Sequence, residues 1–328
     1  MRRRIQFRKL LPLIILFLVC IFLFSFIRFA ELAILSKRMA AAEKTTIPNK
    51  TITRNGTDYY PRQDIDVYLL MGIDRYGTFE PEELRWHSDR ADTVILVIFD
   101  HKDSTIRLLT LNRDTILHMP ELDTNGKQIG THYGHLTFAY YFGDGQTISC
   151  ENTRKTVSDF LYGINIDHYV ALTLDAVSLL NDAVGGVTVT VTDDFSAVGS
   201  DIPLGEVTLT GEQAIAYVQS RRGIGDHLNI SRMDRQTAYM DAFMTAFRTS
   251  IKNDGQFALD IYNTISDHMI TDCSGTVFTS ALERYADYEL VEVATPEGAN
   301  AENTEYMEFY VDKAALDELI LRLFYAEK

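Results

Sequence analysis

A nearly continuous apolar run from Thr93 to Phe99 limits the folds available to this chain. A strand with one wet face alternates apolar and polar residues, so an unbroken run predicts a strand buried on both faces. Val67–Met71 is a second such run and ends in Gly72, while Thr105–Leu111 alternates into a third strand. A short polar turn separates the second and third strands, which favours a hairpin. We therefore expect a sheet that is covered by helices on both sides.

The rest of the chain alternates helical and strand periodicity. The predicted helices span residues 152–161, 175–184, 211–221, 231–251, 257–266, 276–286 and 313–325, and the predicted strands span residues 167–172, 187–191, 289–294 and 307–311. The predicted fold class is α/β, a three-layer α/β/α arrangement with a mixed central sheet, plus an N-terminal transmembrane helix.

The N-terminal segment Leu10–Ile27 contains no charged residue. Its length suffices to cross most of a bilayer as a helix, and the five cations before it place the N-terminus in the cytoplasm. A cleavable signal peptide is the alternative, but the run is long for one, and Ala40 and Ala42, which imitate a cleavage site, lie well beyond its end. We predict a cytoplasmic tail (1–9), a transmembrane helix (10–30), an extracytoplasmic stalk (31–62) and one domain (63–328) with its motifs in about 64–250.

The charge of the predicted outer part opposes nucleic-acid binding. The chain has a formal net charge of −15, and because its first thirty residues hold six cations and no acid, residues 31–328 carry −21. Nucleic-acid affinity comes mainly from cations that neutralise phosphates, so this composition excludes a nucleic-acid partner. An anionic substrate has to be held by a local group of arginines instead.

Two cysteines, Cys150 and Cys273, lie in the predicted outer domain. A disulfide is chemically allowed there, and two unpaired buried thiols are the alternative. The sequence does not decide between them.

Five polar clusters occur at predicted ends of strands and helices, where α/β sheets place ligands. Arginine binds phosphate oxygens with two parallel hydrogen bonds, and aspartate oxygens hold Mg²⁺ beside substrate phosphates. The pattern therefore predicts phosphoryl chemistry, in which a protein positions groups and stabilises charge. The clusters are Gly72-Ile-Asp-Arg75, Asp89-Arg-Ala-Asp-Thr93, Asn112-Arg-Asp-Thr115, Gln219-Ser-Arg-Arg222 and Asn229-Ile-Ser-Arg-Met-Asp-Arg-Gln236.

Any one of these clusters alone is more often a surface ion pair or a helix cap, so the case depends on all five. Other chemistries lack their motifs. The chain has no GxxxxGK[ST] loop for nucleotide phosphates and no GxSxG elbow. His132 and His135 have no strong third ligand that would make a zinc site.

Taken together and in order, the motifs resemble the LytR-CpsA-Psr (LCP) family of cell-envelope glycopolymer ligases. The matching segments are Leu69-Leu-Met-Gly-Ile-Asp-Arg75, Arg90-Ala-Asp-Thr93, Asn112-Arg-Asp-Thr115, Gly185-Gly-Val-Thr-Val189, Leu209-Thr-Gly-Glu-Gln-Ala214 and Arg232-Met-Asp-Arg-Gln236. The resemblance implies transfer of a teichoic acid, capsular polysaccharide or related glycopolymer from an undecaprenyl-pyrophosphate carrier to peptidoglycan. It also implies Mg²⁺ and an apolar pocket for the polyprenyl chain.

By the same resemblance, Asp74 and Asp92 would hold the metal. The expected pyrophosphate-binding residues are Arg90, Arg113, Arg221, Arg232 and Gln236, with a less defined role for Arg235.

Two positions depart from the family pattern. Gln219 stands where an arginine is common, so one phosphate contact is either weakened or replaced by Arg222. Asn229 stands where aspartate is common, and the nearby Asp226 would compensate as the metal carboxylate.

The mechanistic expectation is that the arginines neutralise the pyrophosphate while Asp92 or Asp114 orients or deprotonates a sugar hydroxyl, with Arg113 essential. Two alternatives stay open from the residues. One is a phosphatase acting on the lipid pyrophosphate, since water and a sugar hydroxyl are both acceptors. The other is a non-catalytic envelope module that binds or regulates wall polymers, since arginines alone suffice for binding.

Overall fold

The computed structural model describes residues 51–328, except residues 55, 80–87, 221–223, 225–228, 303–306 and 328. The predicted cytoplasmic tail, the transmembrane helix and most of the stalk lie outside the described residues. Within the described part of the chain, every helix is too short or too polar to cross a bilayer.

The described residues form strands and α-helices that follow one another in mixed order along the chain. The strands are β1 (Ile52–Arg54), β2 (Thr57–Pro61), β3 (Ile65–Ile73), β4 (Ala91–Asp100), β5 (Thr105–Leu111), β6 (Ile116–Leu122), β7 (Gln128–His135), β8 (His168–Leu172), β9 (Val187–Val191), β10 (Gly205–Leu209), β11 (Met269–Thr271), β12 (Glu289–Ala294), β13 (Gly298–Glu302), β14 (Met307–Val311) and β15 (Tyr325–Glu327). The α-helices are α1 (Phe138–Tyr141), α2 (Thr147–Phe160), α3 (Leu174–Ala183), α4 (Gly211–Gln219), α5 (Asn229–Asn253), α6 (Phe257–Ile265), α7 (Gly275–Tyr285) and α8 (Lys313–Phe324).

The central sheet has the strand order β11-β8-β3-β4-β5-β12. The pairs β3–β4, β4–β5 and β8–β11 are antiparallel, whereas β3–β8 and β5–β12 are parallel. The predicted mixed sheet and the hairpin of β4 and β5 are therefore confirmed.

Helices cover both faces of this sheet, as the apolar runs predict. On one face, Leu69 and Leu96 pack against α2 and α8. On the other face, Tyr68 packs against α5, α6 and α7, and Ile95 packs against α5. Alternate residues of one strand thus enter different cores, which is why β3 and β4 lack a polar face.

The strand ends that carry the polar motifs meet at one edge of the sheet. Gly72 at the end of β3 is level with Thr93 near the start of β4 and with Leu172 at the end of β8. Val94 is level with Leu111 at the end of β5. The residues that follow β3 and β5 and those that precede β4 therefore lie side by side.

The described domain begins earlier than the sequence predicts. Residues 52–54 and 57–61, assigned to the stalk, form β1 and β2, and β2 pairs antiparallel with the C-terminal strand β15. Polar alternation in β1 and β2 is weak, and the pairing partner lies more than 260 residues away. Local pattern therefore gives no signal for this small sheet.

The two cysteines of the described domain are both buried and free, so they do not form the disulfide that the sequence left open. Cys150 lies in α2 and Cys273 follows β11.

Candidate active site

Asp92 is displayed by a β-bulge at the edge of the central sheet. The register between β3 and β4 runs from Gly72 opposite Thr93 to Ile73 opposite Ala91, so Asp92 is the extra residue on β4. A bulge of this kind re-aims a side chain and occurs often beside active sites. The Asp92 side chain is 21% exposed.

The absence of a side chain at Gly72 keeps this bulge tight. A Cβ atom at position 72 would lie 3.0 Å from Thr93 Cβ and 3.2 Å from Thr93 Oγ1. Thr93 Oγ1 also accepts a 3.0 Å hydrogen bond from Gln236 Nε2, which donates a second one of 3.0 Å to Val218 O. Gln236 therefore ties α5 to the bulge and to the end of α4.

Two arginines from distant parts of the chain converge on Asp92. Arg113 Nη1 forms an ion pair with Asp92 Oδ2. Arg232 Nη1 lies 3.5 Å from the same oxygen, and Arg232 Nη2 donates a 3.1 Å hydrogen bond to the Asp92 carbonyl. Arg232 is in the first turn of the 25-residue helix α5 and is 4% exposed. The positive end of the helix dipole adds to the two guanidinium charges and favours an anion at this point.

Asp114 is held beside Arg113 by a tight turn after β5. The Asp114 N–H donates a 3.0 Å hydrogen bond to Asn112 Oδ1, and the hydroxyl of Thr115 donates one of 2.6 Å to Asn112 O. Asp114 Oδ1 lies 3.4 Å from Arg113 Nε. The Asn-Arg-Asp-Thr motif thus sets both the arginine and a second carboxylate at the sheet edge.

Asp74 reaches the same edge from β3. Its N–H donates a 3.0 Å hydrogen bond to Arg90 O, which joins the two strand ends. Its Oδ1 accepts a 3.4 Å hydrogen bond from Gln219 Nε2, and Gln219 Oε1 accepts one of 3.1 Å from Tyr76. Asp74, Asp92, Arg113, Asp114 and Arg232 are called the strand-end cluster below.

Thr137 belongs to the site, although the sequence analysis did not select it. It is 5% exposed, and its hydroxyl donates a 3.3 Å hydrogen bond to Asp92 Oδ1. Its N–H donates a 3.1 Å hydrogen bond to Arg113 O. A threonine in a stretch of aromatic residues carries no motif, so only the folded arrangement reveals this contact.

Two residues predicted to contact the pyrophosphate, Arg90 and Arg235, contact other groups of the protein. Arg90 is exposed and stacks over the Phe138 ring, with 5.0 Å from Cζ to the ring centroid. Arg235 is buried and has its donors engaged by Tyr217 O, Ser220 O and Asp193 Oδ2. The geometry therefore favours a structural role for Arg235, which fastens the end of α4, over the predicted phosphate contact.

Three predicted residues lie outside the described residues: Arg221, Arg222 and Asp226. Asn229 begins α5, but its side chain is also outside them. Their assignments stay predictions.

Asp74 and Asp92, the two described residues among the predicted metal ligands, fit a magnesium site to which the protein supplies few ligands. Asp74 and Asp92 bring carboxylate oxygens to adjacent strand ends, and Mg²⁺ is commonly bound through one or two carboxylates together with substrate phosphates. The residues present are therefore compatible with the ion.

The sequence matches a protein-family model, that of the LytR_cpsA_psr family, over residues 30–324. The chain belongs to the LytR-CpsA-Psr family. The resemblance drawn from the six motifs is therefore confirmed. The match extends beyond the motif-bearing core to the last helix, α8.

A curated relative of this LytR-CpsA-Psr chain is the polyisoprenyl-teichoic acid–peptidoglycan teichoic acid transferase TagU of Halalkalibacterium halodurans. It is 34% identical over 200 residues, which cover 60% of this chain and 55% of that protein. The match thus spans little more than half the length of the relative.

Solved structures share the fold. Protein gbs0355 from Streptococcus agalactiae superposes with a TM-score of 0.66 at 23% identity and covers 79% of this chain and 86% of its own. The structure of TagT bound to LI-WTA gives a TM-score of 0.61 at 22% identity, covering 85% of this chain and 96% of its own. These likenesses show that the α/β fold of this chain is shared with both solved structures.

Proposed function

We propose that this chain is a transferase that moves an anionic glycopolymer from an undecaprenyl-pyrophosphate carrier onto peptidoglycan. The observation that carries the proposal is the convergence of Arg113 and Arg232 on the bulged Asp92, in a member of the LytR-CpsA-Psr family. The name of the Halalkalibacterium relative, a polyisoprenyl-teichoic acid–peptidoglycan teichoic acid transferase, supports the same donor and acceptor classes.

In this proposal the arginines bind the pyrophosphate of the lipid carrier. Arg113 is 18% exposed and Arg232 is 4% exposed, so both guanidinium groups act where water screens charge weakly. Arginine forks match phosphate oxygens in geometry as well as in charge. Arg90, which is exposed and stacks over Phe138, is proposed to contact a phosphate or the adjoining sugar.

The reaction forms one phosphorus–oxygen bond and breaks another. A hydroxyl oxygen of the peptidoglycan acceptor attacks the phosphorus that bears the glycopolymer, and the bridging bond of the pyrophosphate breaks. Polyprenyl phosphate leaves, and the hydroxyl proton passes to a carboxylate of the strand-end cluster, Asp92 or Asp114. Arg113 contacts both Asp92 and Asp114, so the arginine proposed to stabilise phosphate charge lies beside each carboxylate proposed to accept the proton.

Mg²⁺ is part of the proposal, with Asp74 and Asp92 as its protein ligands and Asp226 as the predicted third. When bound, it would neutralise charge on the phosphate oxygens. The chain's own contribution is to hold the carboxylates in place, through Gln219 for Asp74 and Thr137 for Asp92.

The proposed setting is the outer face of the cell membrane. The charge-free segment 10–27, with five cations before it, supports a single-pass anchor with a cytoplasmic N-terminus. An anchored domain meets a lipid-linked donor at the membrane surface.

The test is a transfer assay with the full-length chain, a lipid-linked pyrophosphate glycopolymer and peptidoglycan. Arg113→Ala is expected to abolish measurable transfer. Arg107→Ala is the matched control, because Arg107 is 24% exposed, lies on β5 and pairs with Asp100 away from the strand-end cluster. It should lower stability and keep transfer.

Three results count against the proposal. One is unchanged transfer by a well-folded Arg113→Ala protein. Another is release of phosphate at the same rate with and without peptidoglycan, which identifies a phosphatase. The third is tight donor binding without any turnover, which identifies a binding module.

A further inference from the structure

Three metal-ligating side chains meet at the end of the central sheet opposite the strand-end cluster: His168, Asp272 and Cys273. His168 opens β8, whose other end, Leu172, is level with Gly72. Asp272 and Cys273 follow β11, which pairs antiparallel with β8. A strand rises about 3.3 Å per residue, so the group lies roughly 13 Å along β8 from the strand-end cluster.

The spacing of the three side chains suits one small ion. One ligand atom from each lies within 4.8 Å of the other two. His168 Nδ1 is 3.3 Å from Asp272 Oδ1, and Cys273 Sγ is 4.0 Å from the same oxygen. Zinc bonds of about 2.0–2.3 Å in tetrahedral geometry separate ligand atoms by roughly 3.3–3.7 Å. Among the described residues, no other group of three His, Cys, Asp or Glu side chains has comparable spacing.

Neighbouring groups fix the orientation of the Asp272 carboxylate and the position of the Cys273 backbone. Asp272 Oδ1 accepts a 3.0 Å hydrogen bond from Tyr169 N–H, and Asp272 Oδ2 lies 3.6 Å from Arg154 Nη1. Cys273 N–H donates a 3.1 Å hydrogen bond to Thr271 Oγ1. Outer contacts of this kind orient the ligands of metal sites.

The charge of the group also favours a dication. A histidine must be neutral to bind a metal, and Asp272 and Glu151 then share the single positive charge of Arg154, which leaves the group with a net negative charge.

We propose that His168, Asp272 and Cys273 bind one borderline-soft divalent ion of the Zn²⁺ class, with solvent in the fourth position. The thiol and the imidazole select such an ion over Mg²⁺, which prefers oxygen ligands. The ion would fasten β8 and β11 to the start of α7, so its role is structural and independent of the proposed transfer reaction.

The test is a titration of the full-length chain in detergent, reduced and stripped of metal, with Co²⁺ followed by Zn²⁺. One equivalent of Co²⁺ should produce a thiolate-to-cobalt charge-transfer band in the near ultraviolet, and Zn²⁺ should displace it. Zn²⁺ should raise the melting temperature, whereas an equal concentration of Mg²⁺ should not.

Cys273→Ser should remove the band and weaken Zn²⁺ binding more than about 100-fold, beyond the usual effect of an outer-contact mutation. Cys150→Ser, which changes the other free cysteine of the described domain, should keep the band. His168→Gln is a second variant that leaves the thiol in place and should weaken Zn²⁺ binding to a similar degree.

Two outcomes would overturn the site. The first is a folded protein, by circular dichroism, that shows neither the band nor a Zn²⁺-induced rise in melting temperature. A proton on His168 would then be what joins Asp272 and Cys273. The second is a band that persists in Cys273→Ser, or Zn²⁺ affinity unchanged in His168→Gln.

Discussion

Replacing Asp92 with asparagine tests the charge balance on which the strand-end cluster depends. Asparagine keeps the shape of the side chain and its hydrogen bond with Thr137, but it removes the negative charge. Arg113 and Arg232, which are 18% and 4% exposed, then lose the negative charge that they share, while Asp114 stays beside Arg113. We expect the folded protein to lose stability and to gain affinity for a phosphate anion.

The size of the effect follows from burial. Breaking a buried ion pair by removing one partner costs about 3–5 kcal/mol, and the lower end applies because Asp92 is 21% exposed. For a domain of this size a loss of ~1 kcal/mol lowers the melting temperature by about 2–4 °C, so Asp92→Asn should melt about 6–12 °C lower. Inorganic pyrophosphate at about 100 times its Kd returns about 2.7 kcal/mol.

The assay is thermal unfolding of the full-length chain with and without pyrophosphate, in the absence of divalent ions. Asp193→Asn is the matched control, because Asp193 pairs with the buried Arg235, whose other donors are engaged by backbone carbonyls. Pyrophosphate should raise the melting temperature of Asp92→Asn more than that of the unsubstituted chain, and it should raise that of Asp193→Asn only as much as that of the unsubstituted chain. Equal melting of Asp92→Asn and the unsubstituted chain, or equal rescue of both variants, would refute the reasoning.

Three further outcomes follow from the structure. Gly72→Ala should reduce transfer at least tenfold with far-ultraviolet circular dichroism unchanged, because its Cβ would press on Thr93 at 3.0 Å and shift the bulge; full transfer would contradict this. Burial alone would raise the pKa of Asp100, but hydrogen bonds from Arg62 and Arg107 hold it below its usual value. The carboxylate thus stabilises the fold above the unfolded-state pKa of about 3.9, and this contribution is lost as the pH falls through the lower folded pKa. Asp100→Asn should cost about 3 kcal/mol at pH 7, and in urea unfolding the difference should shrink towards pH 3; a pH-independent difference would exclude this cause. Chelation of divalent ions should suppress transfer in the transfer assay, and added Mg²⁺ should restore it. An unchanged rate of transfer in the presence of chelator would show that Mg²⁺ is not required.

Sequence periodicity predicts the central elements well because their burial is simple. The run Thr93–Phe99 has apolar residues on both faces and lies in β4 between two helical layers. The helix predicted at 231–251 and the strand at 187–191 correspond to α5 and β9. In these segments local propensity and tertiary burial agree, so the pattern alone suffices.

The elements that the sequence analysis missed have either a weak apolar pattern or a distant partner. The hairpin of β6 and β7 contains polar residues and glycines, and β15 pairs with β2 across almost the whole described domain. Within the site, the motifs identify Asp92 and Arg113, but only the fold shows that Thr137 completes the contact and that Arg235 is engaged elsewhere. Motif positions predict which residues gather, whereas hydrogen-bond partners set what each one does.

The most direct measurement of the central claim is an experimental structure of the full-length chain with a bound polyprenyl pyrophosphate. The account predicts that pyrophosphate oxygens lie within about 2.7–3.2 Å of guanidinium nitrogens of both Arg113 and Arg232, beside the bulge at Asp92. A pyrophosphate bound at another face of the domain, with the Arg113–Asp92–Arg232 contacts unchanged, would contradict it.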